Sequence, residues 1–376
     1  MPKRVLIIYA TGGMGHVKAA AAVEQAFNNK YPDVEIKNVD VIDYAATIYR
    51  KVFVDGYNYV SAKYPDTWGW LYRGFNKKSR QKLPTMISQL AIEGNFIPFV
   101  KKFNPDFIVS THPLPMMMIS ASKRKEVINI DSSMVLTDFG CHSFWIDSWV
   151  NYYFVATEEV KKCLQGYKVK SENIAVTGIP IELKFAKELN RQEIIKKLGL
   201  NPKIPTLLIV GGQFEFASLQ KIIAGIKQVH KQNVQFLVVA GRDKELNDAL
   251  AASDLKKDLQ IKIFGFVNNM EELMTAADLI FSKAGGLTVS ECLAKGLPMV
   301  INKVIPGQEE DNLDYLVKNE AAIRATTFDE IIEQVNRLLG DPQKIASMKG
   351  NCLKLGRPHS AEALADFVYN KINEKK

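Results

Sequence analysis

The chain has 376 residues, of which 47% are hydrophobic and 24% are charged, and its 49 Lys and Arg against 41 Asp and Glu give a net charge of +8. This length predicts two domains, and this composition excludes a largely disordered protein. The positive charge favours an acidic partner, such as nucleic acid, an anionic membrane or a phosphorylated substrate.

The spacing of the cysteines and the length of the apolar runs exclude several classes of protein. Cys141, Cys163, Cys292 and Cys352 have no C-x-x-C spacing, so we expect reduced thiols in a cytosolic protein rather than a zinc site or a disulfide framework. The apolar residues 5–9 are too few for a signal-peptide core, and no stretch approaches the roughly 20 apolar residues that cross a bilayer. We therefore expect any membrane contact to be peripheral.

Short apolar runs alternate with helical patterns along the chain. The predicted strands of the first half are 4–10, 34–39, 107–111, 134–137, 152–156 and 174–177. Those of the second half are 206–210, 235–240, 261–264, 278–281 and 299–301, and segments such as 16–30 and 216–231 between strands are predicted helices. Apolar strands separated by helices indicate parallel sheets covered on both faces. Because the alternation starts afresh near Pro205, we predict an α/β fold of two doubly wound, Rossmann-like halves facing a cleft, with the boundary within 180–204.

A glycine-rich loop follows the first predicted strand. The sequence T-G-G-M-G-H at 11–16 places Gly15 and His16 at the start of a helix, where free N–H groups and the helix dipole favour an anionic ligand. An imidazole there suits a general base or a hydrogen bond to a ligand. Lys18 stands where the fingerprint G-x-G-x-x-G requires glycine, so a nicotinamide cofactor is not expected. The alternative is a turn that only packs the strand on the helix.

The segment 50–82 interrupts the alternation of strands and helices. It contains eight aromatic residues and eight Lys and Arg against two Asp. Trp and Tyr prefer the bilayer interface and Lys and Arg prefer anionic headgroups, so we predict a membrane-contact segment. Its predicted contact residues are Trp68, Trp70, Arg73, Lys77, Lys78 and Arg80. The alternatives are an aromatic core segment with a solvated basic face, or a surface for single-stranded nucleic acid, which no RNA-binding signature supports.

Polar side chains follow the predicted strand 134–137. Asp138 and His142 lie within the sequence T-D-F-G-C-H, at the carboxyl end of a strand, where open α/β sheets bind their ligands. These two residues are therefore candidates for a binding or catalytic role. The alternative is an aspartate that caps a turn and a histidine on the surface.

Two glycine pairs follow predicted strands of the second half. Gly211 and Gly212 come after the strand 206–210, and Gly285 and Gly286 come after the strand 278–281. The second pair opens a helix whose amino terminus suits a diphosphate. Glu291 stands one to two turns further along this helix, where its carboxylate could accept hydrogen bonds from ribose hydroxyls. The alternative is an ordinary turn between strand and helix.

An acidic and amide-rich loop follows the predicted strand 299–301. The sequence P-G-Q-E-E-D-N at 306–312 contains Gln308, Glu309 and Asn312. Sugar hydroxyls need both donors and acceptors, which amide and carboxylate side chains supply. The alternative is a solvated helix start, where the helix dipole favours acidic residues.

Taken together, these motifs resemble the diacylglycerol glycosyltransferases of glycosyltransferase family 28, which include bacterial processive diacylglycerol β-glucosyltransferases and plant-type monogalactosyldiacylglycerol synthases. The resemblance covers nearly the whole chain. The stretches that carry it best are 15–17, 105–113, 137–139, 153–157, 177–181, 285–288 and 306–312. Ala284 replaces the proline that many members have before the paired glycines.

The resemblance implies a two-domain GT-B fold and an inverting transferase that moves glucose or galactose from a UDP-sugar to diacylglycerol. It implies an acceptor- and membrane-binding domain at 1–185, a UDP-sugar-binding domain at 186–357 and a terminal helix at 358–376 that packs on the first domain. It also implies no cofactor, no obligatory metal and no nucleic acid partner. We expect peripheral attachment to the cytoplasmic face of an anionic membrane.

The resemblance also assigns roles to individual residues. The implied donor-binding residues are Gly15, Gly211, Gly212, Phe266, Val267, Gly285, Gly286, Leu287, Thr288, Glu291, Gln308, Glu309 and Asn312. His112 joins the acceptor site. Many plant-type members carry an aspartate in the first glycine loop, and Ala10 and Thr11 stand in that region here. The catalytic base is therefore either His16 or Asp138.

Two other functions remain open at this stage. One is transfer of N-acetylglucosamine to a lipid-linked cell-wall precursor, or epimerisation of a UDP-sugar, on the same fold. The other is a membrane-docked protein that binds a UDP-sugar without turnover. The reaction that we expect is direct displacement at the anomeric carbon, with the leaving diphosphate stabilised by backbone amides and helix dipoles.

Overall fold

The computed structural model describes residues 2–11, 13–44, 95–210, 215–230, 233–258, 260–302 and 307–374. Its strands form two six-stranded sheets, in which every pair of neighbouring strands is parallel. We refer to residues up to the end of the first sheet as the first half and to residues from the start of the second sheet as the second half. The predicted α/β fold of two doubly wound halves is confirmed.

The first sheet has the order β2-β1-β3-β4-β5-β6. Its strands are β1 (Arg4–Tyr9), β2 (Glu35–Asp40), β3 (Phe107–Ser110), β4 (Asp131–Val135), β5 (Tyr152–Val155) and β6 (Ile174–Val176). The chain reverses its direction of growth across this sheet between β1 and β3. The loops that follow these two strands therefore meet at a switch point, which is where open α/β sheets bind ligands.

The second sheet has the order β12-β11-β10-β7-β8-β9. Its strands are β7 (Thr206–Val210), β8 (Gln235–Val239), β9 (Ile261–Phe264), β10 (Leu279–Ser282), β11 (Met299–Ile301) and β12 (Ala322–Arg324). Its switch point lies between β7 and β10. The glycine pair 285–286 follows β10, so the topology brings this loop to the place that binds nucleotides in this architecture.

Helices cover the faces of the two sheets. They are α1 (Met14–Lys30), α2 (Phe96–Phe103), α3 (Pro113–Arg124), α4 (Glu158–Gly166), α5 (Arg191–Lys197), α6 (Phe216–His230), α7 (Lys244–Ala252), α8 (Met270–Ala276), α9 (Gly286–Lys295), α10 (Gln308–Lys318), α11 (Phe328–Leu339), α12 (Pro342–Leu355) and α13 (Ser360–Glu374). Short 3₁₀ helices include Val41–Tyr44, Ser143–Trp145 and Leu183–Ala186.

Each predicted strand has a counterpart, with two corrections. The strand predicted at 134–137 is Asp131–Val135, because Ser132 and Ser133 are fully buried in the sheet although they are polar. Ser132 keeps a hydrogen bond from the Lys123 ammonium at 3.2 Å, which offsets the cost of burying its hydroxyl. The strand β12 was not predicted, because Ala322–Arg324 contains a single large apolar residue and ends in a charged one.

An apolar cluster joins the two halves. It includes Ala19 of α1 and Phe139 after β4, packed with Leu287 of α9 and Leu313 of α10. The ring of Phe139 also stacks on Tyr315 of α10, with centroids 5.0 Å apart. The carboxyl edges of the two sheets therefore face each other across a closed contact.

The last helix returns to the first half. Helix α13 packs on α1, where the rings of Tyr31 and Tyr369 stack with centroids 3.8 Å apart. The Tyr31 hydroxyl donates to Asp366 at 2.6 Å. At the start of α13, the Ser360 hydroxyl donates to the carbonyl of Ile179 at 2.8 Å. The carboxyl-terminal end of the second half is thus tied to the first half.

The expectation that all four cysteines are reduced is wrong for two of them. Cys141 and Cys163 form a disulfide that links the loop after β4 to α4, and Cys292 and Cys352 are free and buried. The fold brings Cys141 and Cys163 together although they are separated by 22 residues, a spacing that carries no signal in the sequence. Among the helices of the described ranges, none is long and apolar enough to cross a membrane.

Candidate active site

His16 lies at the switch point of the first sheet with its tautomer fixed. Its Nδ1 is 2.6 Å from the carbonyl oxygen of Thr111, which follows β3. A carbonyl only accepts hydrogen bonds, so Nδ1 carries the proton and Nε2 carries a lone pair. Burial lowers the pKa of His16 to about 4. The imidazole is therefore neutral at physiological pH, and Nε2 is able to accept a proton.

His112 lies beside His16 and has the opposite tautomer. The two rings meet edge to face, with centroids 4.5 Å apart. His112 Nδ1 accepts a hydrogen bond from the Leu114 N–H at 3.1 Å at the start of α3, so its own proton is on Nε2. Burial, followed by the proximity of His16, lowers the pKa of His112 well below its ordinary value. The pair therefore combines one nitrogen that accepts with one that donates.

Thr137 connects His16 to the second half. Its hydroxyl is 3.3 Å from His16 Nδ1, and its carbonyl oxygen lies against Gly286, where any Cβ atom would overlap it. A side chain at Gly140 would likewise overlap Asp311 of α10. Glycines 140 and 286 therefore allow the loop after β4 to approach α9 and α10, and this approach brings His16 close to the predicted donor loop.

Asn312 joins the same loops through its side-chain amide and is fully buried. Its oxygen accepts from the Phe139 N–H at 2.6 Å, and its nitrogen donates to Asp138 Oδ1 at 3.1 Å and to the Ala284 carbonyl at 2.8 Å. Two of these partners belong to the first half and one to the second. The amide therefore links the loop after β4 to the loop before α9, and the donor contact predicted for Asn312 stays a prediction.

Asp138 lies in a buried environment that disfavours its charge. Burial raises the pKa of its carboxyl to about 6, the hydrogen bond from Asn312 acts in the opposite direction, and the neighbouring Glu309 and Asp311 raise the pKa further. One of its oxygens is committed to Asn312. Each candidate base therefore keeps one acceptor atom, Nε2 of His16 and Oδ2 of Asp138, without a hydrogen bond among the described residues.

The predicted donor loop begins α9. Gly285 is at the amino-terminal cap, and no side chain caps the helix there, so its first N–H groups are oriented for an anion. Leu287 packs in the apolar cluster between the halves, while Thr288 is partly exposed. Of these residues, it is the backbone of Gly286 and Leu287 and the hydroxyl of Thr288 that could contact a ligand.

Glu291 on α9 is buried with only 4% of its surface exposed. Burial raises the pKa of its carboxyl to about 7. In the part of the chain that the structure describes, it makes no hydrogen bond and no ion pair within 4.0 Å. A carboxyl without a partner among the described residues is able to accept hydrogen bonds from the hydroxyl groups of a ligand.

The loop before α10 supplies a charged pair. Lys283, after β10, lies 2.9 Å from Glu309, which is 6% exposed. Gly307 has a φ of 103°, a left-handed conformation that favours glycine. The side chain of Gln308 and the whole of Gly211 and Gly212 lie outside what the structure describes, and their predicted donor contacts stay predictions.

The remaining predicted residues have mixed environments. Phe266, after β9, is 50% exposed, and the Arg242 guanidinium lies 4.5 Å from its ring centroid. Val267 packs on the apolar cluster between the halves. At Gly15, a Cβ atom would meet nothing within 4 Å. His142 caps the short helix Ser143–Trp145, accepting from the Phe144 N–H at 3.1 Å.

Some site residues were not predicted. Thr111 and Lys283 follow β3 and β10, and Thr137 was recognised only as part of a motif. Thr111 and Lys283 follow strands at the two switch points, and this position could have identified them as candidate site residues. The predicted membrane-contact residues, 68–80, lie outside the described ranges. Among the described residues, no group of three or more His, Cys, Asp or Glu is arranged to hold a metal ion.

Comparison with known families divides the chain into two matched parts. The sequence profile of the monogalactosyldiacylglycerol (MGDG) synthase family matches residues 16–181, and that of the glycosyltransferase family 28 C-terminal domain matches residues 206–364. A processive diacylglycerol β-glucosyltransferase of Bacillus cereus is 31% identical over 97% of this chain and 93% of its own length. That of Bacillus subtilis is 29% identical over 97% of this chain and 94% of its own length.

Solved structures are similar in fold at lower identity. MurG of Acinetobacter baumannii aligns over 98% of this chain and 100% of its own, with a TM-score of 0.60 and 15% identity. Staphylococcus aureus MnaA, solved with UDP, aligns over 99% and 97%, with a TM-score of 0.63 and 11% identity. These similarities support the two-domain fold.

Proposed function

We propose, because this chain belongs to the family of the processive diacylglycerol β-glucosyltransferases, that it transfers a sugar from a UDP-sugar to diacylglycerol. The acceptor hydroxyl oxygen forms a bond to the anomeric carbon, and the bond from that carbon to the β-phosphate oxygen breaks. UDP leaves with the electron pair of that bond, and the product is a glycolipid. Attack from the face opposite to UDP inverts the anomeric configuration.

The observation that carries the donor half of this proposal is the unpartnered, buried carboxyl of Glu291. A carboxylate accepts hydrogen bonds from two neighbouring hydroxyls, which the ribose of UDP presents. The amino terminus of α9 begins five residues earlier and suits the diphosphate. These two groups on one helix together fit a nucleoside diphosphate better than a phosphate or a sugar alone.

The acceptor proton goes to His16 in this proposal. Nδ1 is already committed to the Thr111 carbonyl, so Nε2 is the atom that removes the proton from the attacking hydroxyl. The resulting imidazolium keeps its hydrogen bond to Thr111. The negative charge that develops on the departing diphosphate is stabilised by the N–H groups at the start of α9, and we propose that no divalent metal is required.

The sugar and the membrane surface are further parts of the proposal. The two Bacillus relatives named above are glucosyltransferases, which supports UDP-glucose as the donor over UDP-galactose. Diacylglycerol is embedded in a bilayer, so the enzyme must reach a lipid surface. We propose peripheral binding to an anionic cytoplasmic leaflet through the segment 50–82, which has eight Lys and Arg against two Asp.

One assay tests these points together. The purified protein is incubated with diacylglycerol vesicles and, separately, with UDP-glucose, UDP-galactose and UDP-N-acetylglucosamine, and the lipids are identified by mass. We expect hexosyl-diacylglycerol and free UDP with UDP-glucose, no product without diacylglycerol, and no loss of rate in excess EDTA. Conversion of the UDP-sugar without lipid would indicate an epimerase, and UDP binding without turnover would indicate a sensor. Either result would overturn the proposal.

A further inference from the structure

The rings of His16 and His112 each leave one nitrogen unbonded at the switch point of the first sheet. His16 Nδ1 is bonded to the Thr111 carbonyl, and His112 Nδ1 accepts from the Leu114 N–H. Among the described residues, neither Nε2 atom has a hydrogen-bond partner, and neither is a fully buried atom. Both Nε2 atoms are therefore open to a ligand.

The two open nitrogens have opposite hydrogen-bonding roles. His16 Nε2 accepts, because the proton of that ring is on Nδ1, whereas His112 Nε2 carries a proton and donates. The ring centroids are 4.5 Å apart, so the two nitrogens lie close enough to engage neighbouring oxygens of one molecule. A group that fits the pair has a hydroxyl, which gives its proton to His16, and a second oxygen beside it, which accepts from His112.

Apolar side chains flank the pair of histidines. Met14, in the same first turn of α1 as His16, is 48% exposed. The ring centroid of Trp145 lies 6.4 Å from that of His16, and Leu114 packs in the apolar cluster of the first half. These side chains offer contacts to the hydrocarbon next to the polar end of a lipid, and methionine adapts readily to such a surface.

We propose that His112 is a specificity-determining residue, whose Nε2–H donates to an ester carbonyl of the acceptor lipid while His16 takes the proton of its hydroxyl. This inference rests on the proposed transfer to diacylglycerol. In 1,2-diacylglycerol, the carbon with the hydroxyl is bonded to a carbon with an ester, and ester oxygens only accept hydrogen bonds. The donor and the acceptor of the pair match these two groups. The bond to the ester places the hydroxyl beside His16 Nε2, where it reacts.

The test compares 1,2-dioleoylglycerol with its diether analogue, 1,2-dioleylglycerol, which keeps the hydroxyl and two chains but has no carbonyl. Each lipid is presented at the same mole fraction in vesicles of one composition, and kcat/KM is measured with UDP-glucose as donor. The wild type should prefer the diester roughly tenfold, as expected when a hydrogen-bond donor of the site is left without its partner. Equal efficiency with both lipids would overturn the inference.

Two substitutions separate this contact from the cap that His112 forms on α3. Asparagine places its side-chain oxygen where histidine has Nδ1, so His112→Asn keeps the cap and loses the donor at Nε2. Glutamine places an N–H donor near the position of Nε2 and lacks the capping oxygen. The diester preference should fall below about threefold in His112→Asn and stay close to the wild-type value in His112→Gln. Chemical denaturation should show the opposite order, with His112→Gln the less stable variant.

His142 provides the matched control. Its Nδ1 also accepts from a backbone N–H at 3.1 Å at the start of a short helix, and His142→Asn should leave the acceptor preference unchanged. If His142→Asn removes the preference as well, the effect is not specific to His112 and the inference is overturned. A full diester preference in His112→Asn overturns it too.

Failure of the underlying function gives a different result. If the wild type glycosylates neither lipid, the proposed transfer to diacylglycerol is itself wrong. If it glycosylates both lipids with equal efficiency, the transfer stands and only the ester contact is wrong. If His112→Asn lowers kcat/KM for both lipids by one factor, the ring acts on the hydroxyl or on His16, and the proposed recognition of the ester is wrong.

Discussion

Asn312 in the second half accepts a hydrogen bond of 2.6 Å from the backbone N–H of Phe139 in the first half. Its amide nitrogen donates to the Ala284 carbonyl, one residue before the paired glycines of α9. One side chain therefore sets the distance between the loop that follows β4 and the loop that binds the donor in our proposal. Alignment of the reacting groups across the cleft depends on this distance.

Replacement of Asn312 by Ala should uncouple the two loops. It leaves the Phe139 N–H and the Ala284 carbonyl without their partner, and each unsatisfied buried group costs about 1–3 kcal/mol. We expect lower stability in chemical denaturation and a marked loss of turnover. Asn319→Ala is the matched control, because Asn319 lies at the end of the same helix and donates only to Tyr315 at 2.7 Å. Equal losses in both variants would contradict the coupling role.

Gly286 should not tolerate a side chain. A Cβ atom there would overlap the Thr137 carbonyl, so Gly286→Ala should hold the halves apart and lower turnover by at least about tenfold, since small misplacements of reacting groups are costly. In Gly350→Ala, on α12, the added methyl meets nothing within 4 Å. This control should keep its activity. Normal turnover in Gly286→Ala would show that the closed contact is not needed for the reaction.

His16→Ala should lower turnover about 10²–10⁴-fold, which is the usual effect of losing a general base. UDP affinity should change far less, because His16 belongs to the opposite half from the donor loop. The pKa of His16 is lowered to about 4, so its imidazole stays neutral as the pH falls through 6.5. At saturating donor, kcat should therefore stay flat from pH 8 to pH 6. An acid limb centred near pH 6.5 would place the base elsewhere.

The sequence predicted the architecture well because buried parallel strands have a strong pattern. Strands such as Thr206–Val210 are apolar at nearly every position, and the loops after them are marked by glycine pairs. The contacts of the candidate site are harder to predict, because they join segments that lie far apart in the sequence. Nothing near Asn312 in the sequence reveals that its side chain accepts a hydrogen bond from Phe139. The Cys141–Cys163 disulfide was missed for the same reason.

Asp138→Asn should stabilise the protein at high pH and have no effect at low pH. Burial raises the pKa of Asp138 to about 6, so the folded state retains a proton that the unfolded chain loses near pH 4. The fold is therefore penalised as the pH rises from about 4 to about 6, and the penalty persists above pH 6. Asparagine removes this penalty and keeps an oxygen for Asn312.

The expected gain at pH 8 is about 1–3 kcal/mol, from about 1.4 kcal/mol for each pKa unit, measured by denaturation at pH 4 and pH 8. Asp254→Asn is the control, because Asp254 is exposed and pairs only with the neighbouring Lys257. At pH 8, this exposed substitution should change the stability by much less than Asp138→Asn does. Turnover of Asp138→Asn decides between the two candidate bases: near-normal activity supports His16, and a loss as large as that of His16→Ala favours Asp138.

The segment 50–82 should bind anionic vesicles more tightly than neutral ones. Each basic residue near an anionic surface contributes about 1 kcal/mol, and this attraction weakens with salt because the screening length is only about 8 Å at physiological ionic strength. Co-sedimentation should show that Trp68→Ala with Trp70→Ala weakens binding to both kinds of vesicle. Lys77→Ser, Lys78→Ser and Arg80→Ser together should remove only the preference for anionic lipid. If the wild type ignores lipid charge and neither set of changes affects binding, the segment is part of the core, and the positive charge of the chain serves the donor phosphates instead.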